Sequence, residues 1–141
     1  MSTWAGWETV GSGSSYGIDW QLVHHALLGV GIRTSNGISG GSYHDRTDGL
    51  GGFGSSRYGE GQSGCVIFCG EVHPRYTHVV LELEDGSAVR AEMFPAPQGR
   101  STDLYVAAVR VRPTLIKATN DDGDETTIDA TRPTERTQFP E

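Results

Sequence analysis

From Val79 to Met93 the chain alternates apolar and polar residues on both sides of Asp85-Gly86. This pattern constrains the fold more than any other part of the sequence, because a period of two belongs to a half-buried strand. Val79, Leu81 and Leu83 occupy one face of the first arm; Val89, Ala91 and Met93 recur in the second. A two-residue loop at Asp85-Gly86 would pair Leu81 with Arg90 and turn Arg90 onto the apolar face. A three-residue loop, Glu84-Asp85-Gly86, pairs Leu83 with Ser87, Leu81 with Val89 and Val79 with Ala91. The second register keeps one face apolar and puts Gly86 where a left-handed residue is wanted, so it is the predicted one.

The same reasoning predicts strands over Thr3–Val10, Leu27–Thr34, Cys65–Cys69, Leu104–Val111, Thr114–Thr119 and Glu125–Ala130, with a turn at Asn120–Gly123. Residues 18–28 read two ways. As a strand, Ile18, Trp20, Leu22 and His24 share a face; as a short helix, Trp20, Val23 and Leu27 form a stripe. Eight or nine short strands separated by turn signals predict an all-β sandwich or barrel. The 20 glycines among 141 residues argue against a helical bundle, where they would destabilise the helices. No apolar run approaches the roughly 18–20 residues of a membrane span, no apolar heptad persists, and no internal repeat is visible.

The expected organisation is a single β-sandwich over 1–130, with a long Gly/Ser-rich loop at 36–64 within it, and a polar tail over 131–141. The tail is too poor in apolar residues to order itself. Charge is uneven. Of the 11 bases and 18 acids, residues 1–119 hold nine and eleven, and seven acids lie beyond Thr119. The body lacks the basic stripe that binding to nucleic-acid phosphates requires, so neither a nucleic acid nor a membrane is an expected partner.

Cys65 and Cys69 flank Val66-Ile67-Phe68. In a strand, positions four apart share a face about 13 Å apart, too far for a disulfide, which needs Cα atoms within about 7 Å. Reduced core thiols are expected rather than a metal or redox pair. Met1-Ser-Thr-Trp-Ala-Gly-Trp-Glu has neither the charged nor the apolar region of a secretion signal, and the expected compartment is the cytoplasm.

Six short segments appear in order: Gly17-Ile-Asp-Trp20-Gln-Leu22, Gly52-Phe-Gly54, Cys69-Gly70-Glu-Val72, Val80-Leu-Glu-Leu83-Glu-Asp-Gly86, Tyr105-Val-Ala-Ala108 and Asp121-Asp-Gly123. In this order the chain resembles a group of small actinobacterial β-sandwich proteins of unknown function. The resemblance covers about two thirds of the chain. It implies an immunoglobulin-like antiparallel sandwich and no established activity.

Catalytic constellations are weakly drawn. Gly61-Gln-Ser63-Gly64-Cys65 lacks the last glycine of a nucleophile elbow. His24 or His25, then Asp45 or Asp48, then Ser63 run in the order of one Ser-His-Asp triad, but only about forty residues separate His from Ser. His44, Asp45 and Asp48 offer metal-type ligands without a third at fixed spacing. Asn120, Asp122 and Asp124 mimic the start of a calcium loop, but its sixth position is Glu125 and its twelfth Thr131. No catalytic residue, metal or cofactor is therefore assigned. A small hydrolase or metal-dependent enzyme built on His24/His25, Asp45 and Ser63 is the alternative to a binding protein.

Tyr and Arg amid Gly and Ser is the composition of recognition loops, rigid anchors on an adaptable backbone. Tyr43, His44, Arg46, Arg57 and Tyr58 from the Gly-rich segment, with Arg75 and Tyr76 from His73-Pro74-Arg75-Tyr76, are the candidate binding residues. The expected partner is another protein or a second copy of the chain.

Overall fold

The structure, a computed structural model, describes residues 6–27, 29–35, 37–41, 50–58, 65–97 and 99–130, with main chain alone for 39–41 and 50–58. The described residues contain strands and no helix. They are β1 (Trp7–Ser15), β2 (Ile18–His25), β3 (Gly29–Thr34), β4 (Gly37–Gly41), β5 (Leu50–Tyr58), β6 (Cys65–Val72), β7 (His78–Leu83), β8 (Ala88–Arg90), β9 (Glu92–Phe94), β10 (Asp103–Val109), β11 (Pro113–Thr119) and β12 (Glu125–Asp129). They form three four-stranded antiparallel sheets, ordered β1-β2-β3-β4, β5-β6-β10-β9 and β12-β11-β7-β8.

The sheets stack in three layers, and β6 shows why. All eight of its residues are buried. Val66, Phe68 and Val72 point into a core shared with Val79, Leu81 and Ile116 of the third sheet. Cys65, Ile67 and Cys69 point the other way, against Trp20, Leu22, Val30 and Ile32 of the first. Neighbouring β10 divides likewise, Tyr105, Ala107 and Val109 to one core and Leu104 and Val106 to the other. A strand covered on both faces reads as an unbroken apolar run, as Cys65–Cys69 does.

The predicted hairpin has the three-residue loop. Leu81 pairs with Val89, Leu83 N–H donates to Ser87 O at 2.9 Å, and Ala91 N–H donates to Val79 O at 2.9 Å. Gly86 takes φ +87° and donates its N–H to Leu83 O at 3.0 Å. Ala91, 6% exposed, separates β8 from β9 and is the point where the chain crosses from one sheet to the next.

One open reading is decided and two expectations change. Residues 18–25 are strand, so the helical alternative falls. β1 runs on to Ser15 rather than stopping at Val10, since Gly and Ser carry no apolar alternation to mark it. Within 36–64, taken as one loop, residues 37–41 and 50–58 are paired strands, β4 on β3 and β5 on β6. Residues 42–49 and 59–64, and the tail 131–141, lie outside the described residues.

Candidate functional site

The register of the middle sheet decides which connections share an end. Val72, the last residue of β6, pairs with Leu50 on one side and Asp103 on the other. The chain therefore leaves β6 into 73–77 and enters β10 from 95–102 at one and the same end, where β5 also begins at Leu50. The turn 120–124 joins them: Thr77 N–H donates to Thr119 O at 2.9 Å, and Asn120 Nδ2 donates to Arg75 O at 3.1 Å.

Asn120 organises this end because its amide both accepts and donates. Its Oδ1 accepts from the N–H groups of Asp122 and Asp124, each at 3.0 Å, and its Nδ2 also donates to Asp124 Oδ2 at 3.1 Å. The facing turn is closed by Tyr76 N–H to His73 O at 3.0 Å and Arg75 N–H to His73 Nδ1 at 3.1 Å. His78 stands between them, with Nε2 3.9 Å from Asp121 Oδ1 and Nδ1 against the Arg90 guanidinium.

Among the described residues, Arg75 and Tyr76 lie at one end of the middle sheet and the main chain of Arg57 and Tyr58 at the other. Arg75 is exposed at the shared end, its guanidinium 5.2 Å from the Tyr76 ring centre. Tyr76 is a correction: its ring is 5% exposed and belongs to the core with Val72 and Val79, so it anchors the turn rather than a partner. Tyr43, His44 and Arg46 lie outside the described residues, in the connection that ends at Leu50. Arg57 and Tyr58 sit at the far end of β5, where Tyr58 pairs with Cys65. Eight residue steps of about 3.3 Å put them roughly 26 Å from Leu50 along the strand.

Buried polar groups concentrate at the same end, between the first two sheets. His24, Glu71 and Thr102 are the buried polar side chains among the described residues. Thr102 Oγ1 donates to Glu71 Oε2 at 3.2 Å, tying the 95–102 connection to the end of β6. Burial lowers the His24 pKa from its ordinary value; the Arg100 charge and His25 lower it further, and Glu8 raises it. His25 faces Trp7, ring centres 5.2 Å apart, and its Nδ1 accepts from Leu27 N–H at 3.1 Å. The other members of the enzymatic alternative, Asp45 and Ser63, lie outside the described residues. Sequence reading missed Glu71 and Thr102. The one signal was a carboxylate ending an otherwise apolar run.

Both cysteines are free and buried, and burial raises both thiols, Cys69 to about 12. Among the described residues no three His, Cys, Asp or Glu side chains are grouped to hold a metal ion, and no helix is long and apolar enough to cross a membrane. No family model, curated protein or solved structure matches the chain.

Proposed function

We propose that this chain is a non-enzymatic, immunoglobulin-like sandwich of the kind found in small actinobacterial proteins, and that it binds a protein partner or a second copy of itself. Support for the immunoglobulin-like part is strand order. With β5 to β12 lettered A, B, C, C′, D, E, F and G, the sheets β5-β6-β10-β9 and β12-β11-β7-β8 become A-B-E-D and G-F-C-C′. The immunoglobulin order places A, B, E and D on one sheet and C, F and G on the other. The meander β1–β4 is an added layer on the outer face of A-B-E-D. Two buried free thiols fit a reducing compartment such as the cytoplasm.

The observation that carries binding is the gathering of 73–77, 95–102 and 120–124 at one end, beside the start of β5. Loops held on a rigid sandwich are where such folds place recognition. Here two of them are locked together through Asn120 before any partner arrives, which lowers the ordering cost of association. The end presents Arg75 beside the acidic turn Asp121, Asp122 and Asp124, a mixed-charge rim suited to a protein surface.

The test compares Arg75→Glu and Asp121→Lys with Glu84→Lys at the opposite end. Light scattering reads self-association, and chemical cross-linking in cell extract with mass spectrometry reads a partner. Association lost in the first two, kept in the third, with unchanged melting in all, supports the reading. Association lost only in Glu84→Lys, or in none, overturns it.

A further inference from the structure

The geometry points to a second binding site, on the outer face of the β1–β4 meander, for a neutral hydroxyl-rich ligand: a mono- or disaccharide. The inference is independent of the loop-end proposal, since the two surfaces share no residue.

The site follows from register. Ser12 pairs with Gln21, and Gln21 with Arg33, so these three form one row across three strands. Ser14 pairs with Asp19 in the parallel row two residues along. Alternation sends Trp20 and Leu22 inward to the core and leaves Asp19 and Gln21 on the outer face. The rows line an open groove of about 760 Å³, together with Ser35 and with the Gly13, Trp20 and Thr34 positions that lie between the rows. That volume lies within the range of small-ligand sites, about 300–1,000 Å³.

What separates this groove from an ordinary wetted sheet face is the fixing of Arg33. Its Nε donates to Gln21 Oε1 at 2.7 Å, its Nη2 also reaches Gln21 Oε1, and Nη2 donates to Thr9 Oγ1 at 3.0 Å. A long cationic side chain normally keeps its rotamer freedom on a surface; here that entropy is already spent in the free protein. The remaining lining supplies hydroxyls from Ser12, Ser14 and Ser35 and a carboxylate from Asp19, each able to pair with vicinal hydroxyl groups. The Arg33 and Asp19 charges offset, so the groove does not select an ion.

The experiment titrates the intact protein with glucose, galactose, N-acetylglucosamine, maltose and, as the anionic probe, glucuronate. Amide and side-chain shifts are followed by NMR. The expected result is saturable shifts confined to residues 12–14, 19–21 and 33–35 with at least one neutral sugar. Arg33→Lys, which keeps the charge but loses the fork, should weaken that binding about tenfold or more, as should Gln21→Ala. Thr126→Ala, on the far sheet, should leave it unchanged. Melting curves confirm that each variant is folded, and an unfolded Gln21→Ala leaves Arg33→Lys as the deciding variant. No saturable shift with any neutral sugar overturns the proposal. So does binding of glucuronate alone, or neutral-sugar binding that Arg33→Lys leaves intact.

Discussion

Phe94 occupies the space in which a side chain on Gly11 would stand: a Cβ built there falls 2.1 Å from Phe94 Cε1. The ring has little freedom to retreat, because it meets Trp20 edge-on at 6.1 Å between centres and 87° between planes. Gly11 therefore lets β1 close over the aromatic pair that joins the first sheet to the second. Gly11→Ala should destabilise the fold by about 1–3 kcal/mol, the usual cost of overpacking a filled core. Thr9→Ala, on the same strand and exposed, should cost under about 0.5 kcal/mol. Urea midpoints check both. Equal midpoints would show that Phe94 repacks freely.

The hairpin register makes a sharper contrast. Leu81 is fully buried, whereas its neighbour Glu82 is on the opposite face, 3.7 Å from Lys117 Nζ. Leu81→Asp buries an unpaired carboxylate and should cost several kcal/mol, enough to unfold a domain of ordinary stability. Glu82→Ala removes only a partly exposed ion pair and should change stability by less than about 1 kcal/mol. Similar melting temperatures for the two variants would overturn the register.

Both outcomes rest on residues whose pattern could be read directly, and the contrast with β4 and β5 explains what could not. Leu81 and Val89 announce a strand because their side chains differ sharply from their neighbours'. Gly37–Gly41 and Leu50–Tyr58 hold so many Gly and Ser residues that no period of two exists to be seen, although their main chains pair along their length, with one register shift between Gly52 and Gly54. The third layer was half legible. An apolar run at 65–69 with both faces hydrophobic demands cover on both sides, but nothing in it names the cover. The site was less legible still. Tyr76 and Arg75 are adjacent in sequence with similar recognition chemistry, and only the packing of Val72 and Val79 against the ring separates them.

His24 gives the fold a pH dependence of fixed sign. Its folded pKa is lowered by burial and by Arg100, so the folded state takes up a proton less readily than the unfolded chain does. The stabilisation is complete above the unfolded value of about 6.5 and is lost as pH falls through the lowered folded value. Urea midpoints of the native protein should therefore drop between pH 7 and pH 5 by more than those of His24→Gln. Parallel profiles would show that His24 titrates in the fold as it does in the unfolded chain.

The cysteines should be silent in the native state. Cys69 is fully buried with its pKa pushed up to about 12, and Cys65 is raised by the same cause. Because the thiolate is the reactive form, a thiol reagent at neutral pH should label neither residue until denaturant is added, and then both. Intact mass should show no loss of two hydrogens for a disulfide. Rapid labelling of the folded protein, or an oxidised pair, would contradict burial in a packed strand.

Arg75 and Tyr76 should behave oppositely, and this separates binding from packing at the loop end. Tyr76 fills the space beneath the 73–76 turn at 5% exposure, so Tyr76→Ala opens a cavity and should cost about 3–5 kcal/mol, as large aromatic truncations in cores do. Arg75 lies over that ring but is exposed, and its main-chain carbonyl, not its side chain, accepts from Asn120. Arg75→Ala keeps the carbonyl and should change stability by under about 1 kcal/mol while weakening association with a partner or second copy. Thermal melting and light scattering on the same samples read both effects. If Arg75→Ala lowers the melting temperature as far as Tyr76→Ala and leaves association untouched, the 73–76 turn serves packing alone, and the proposed binding at this end falls.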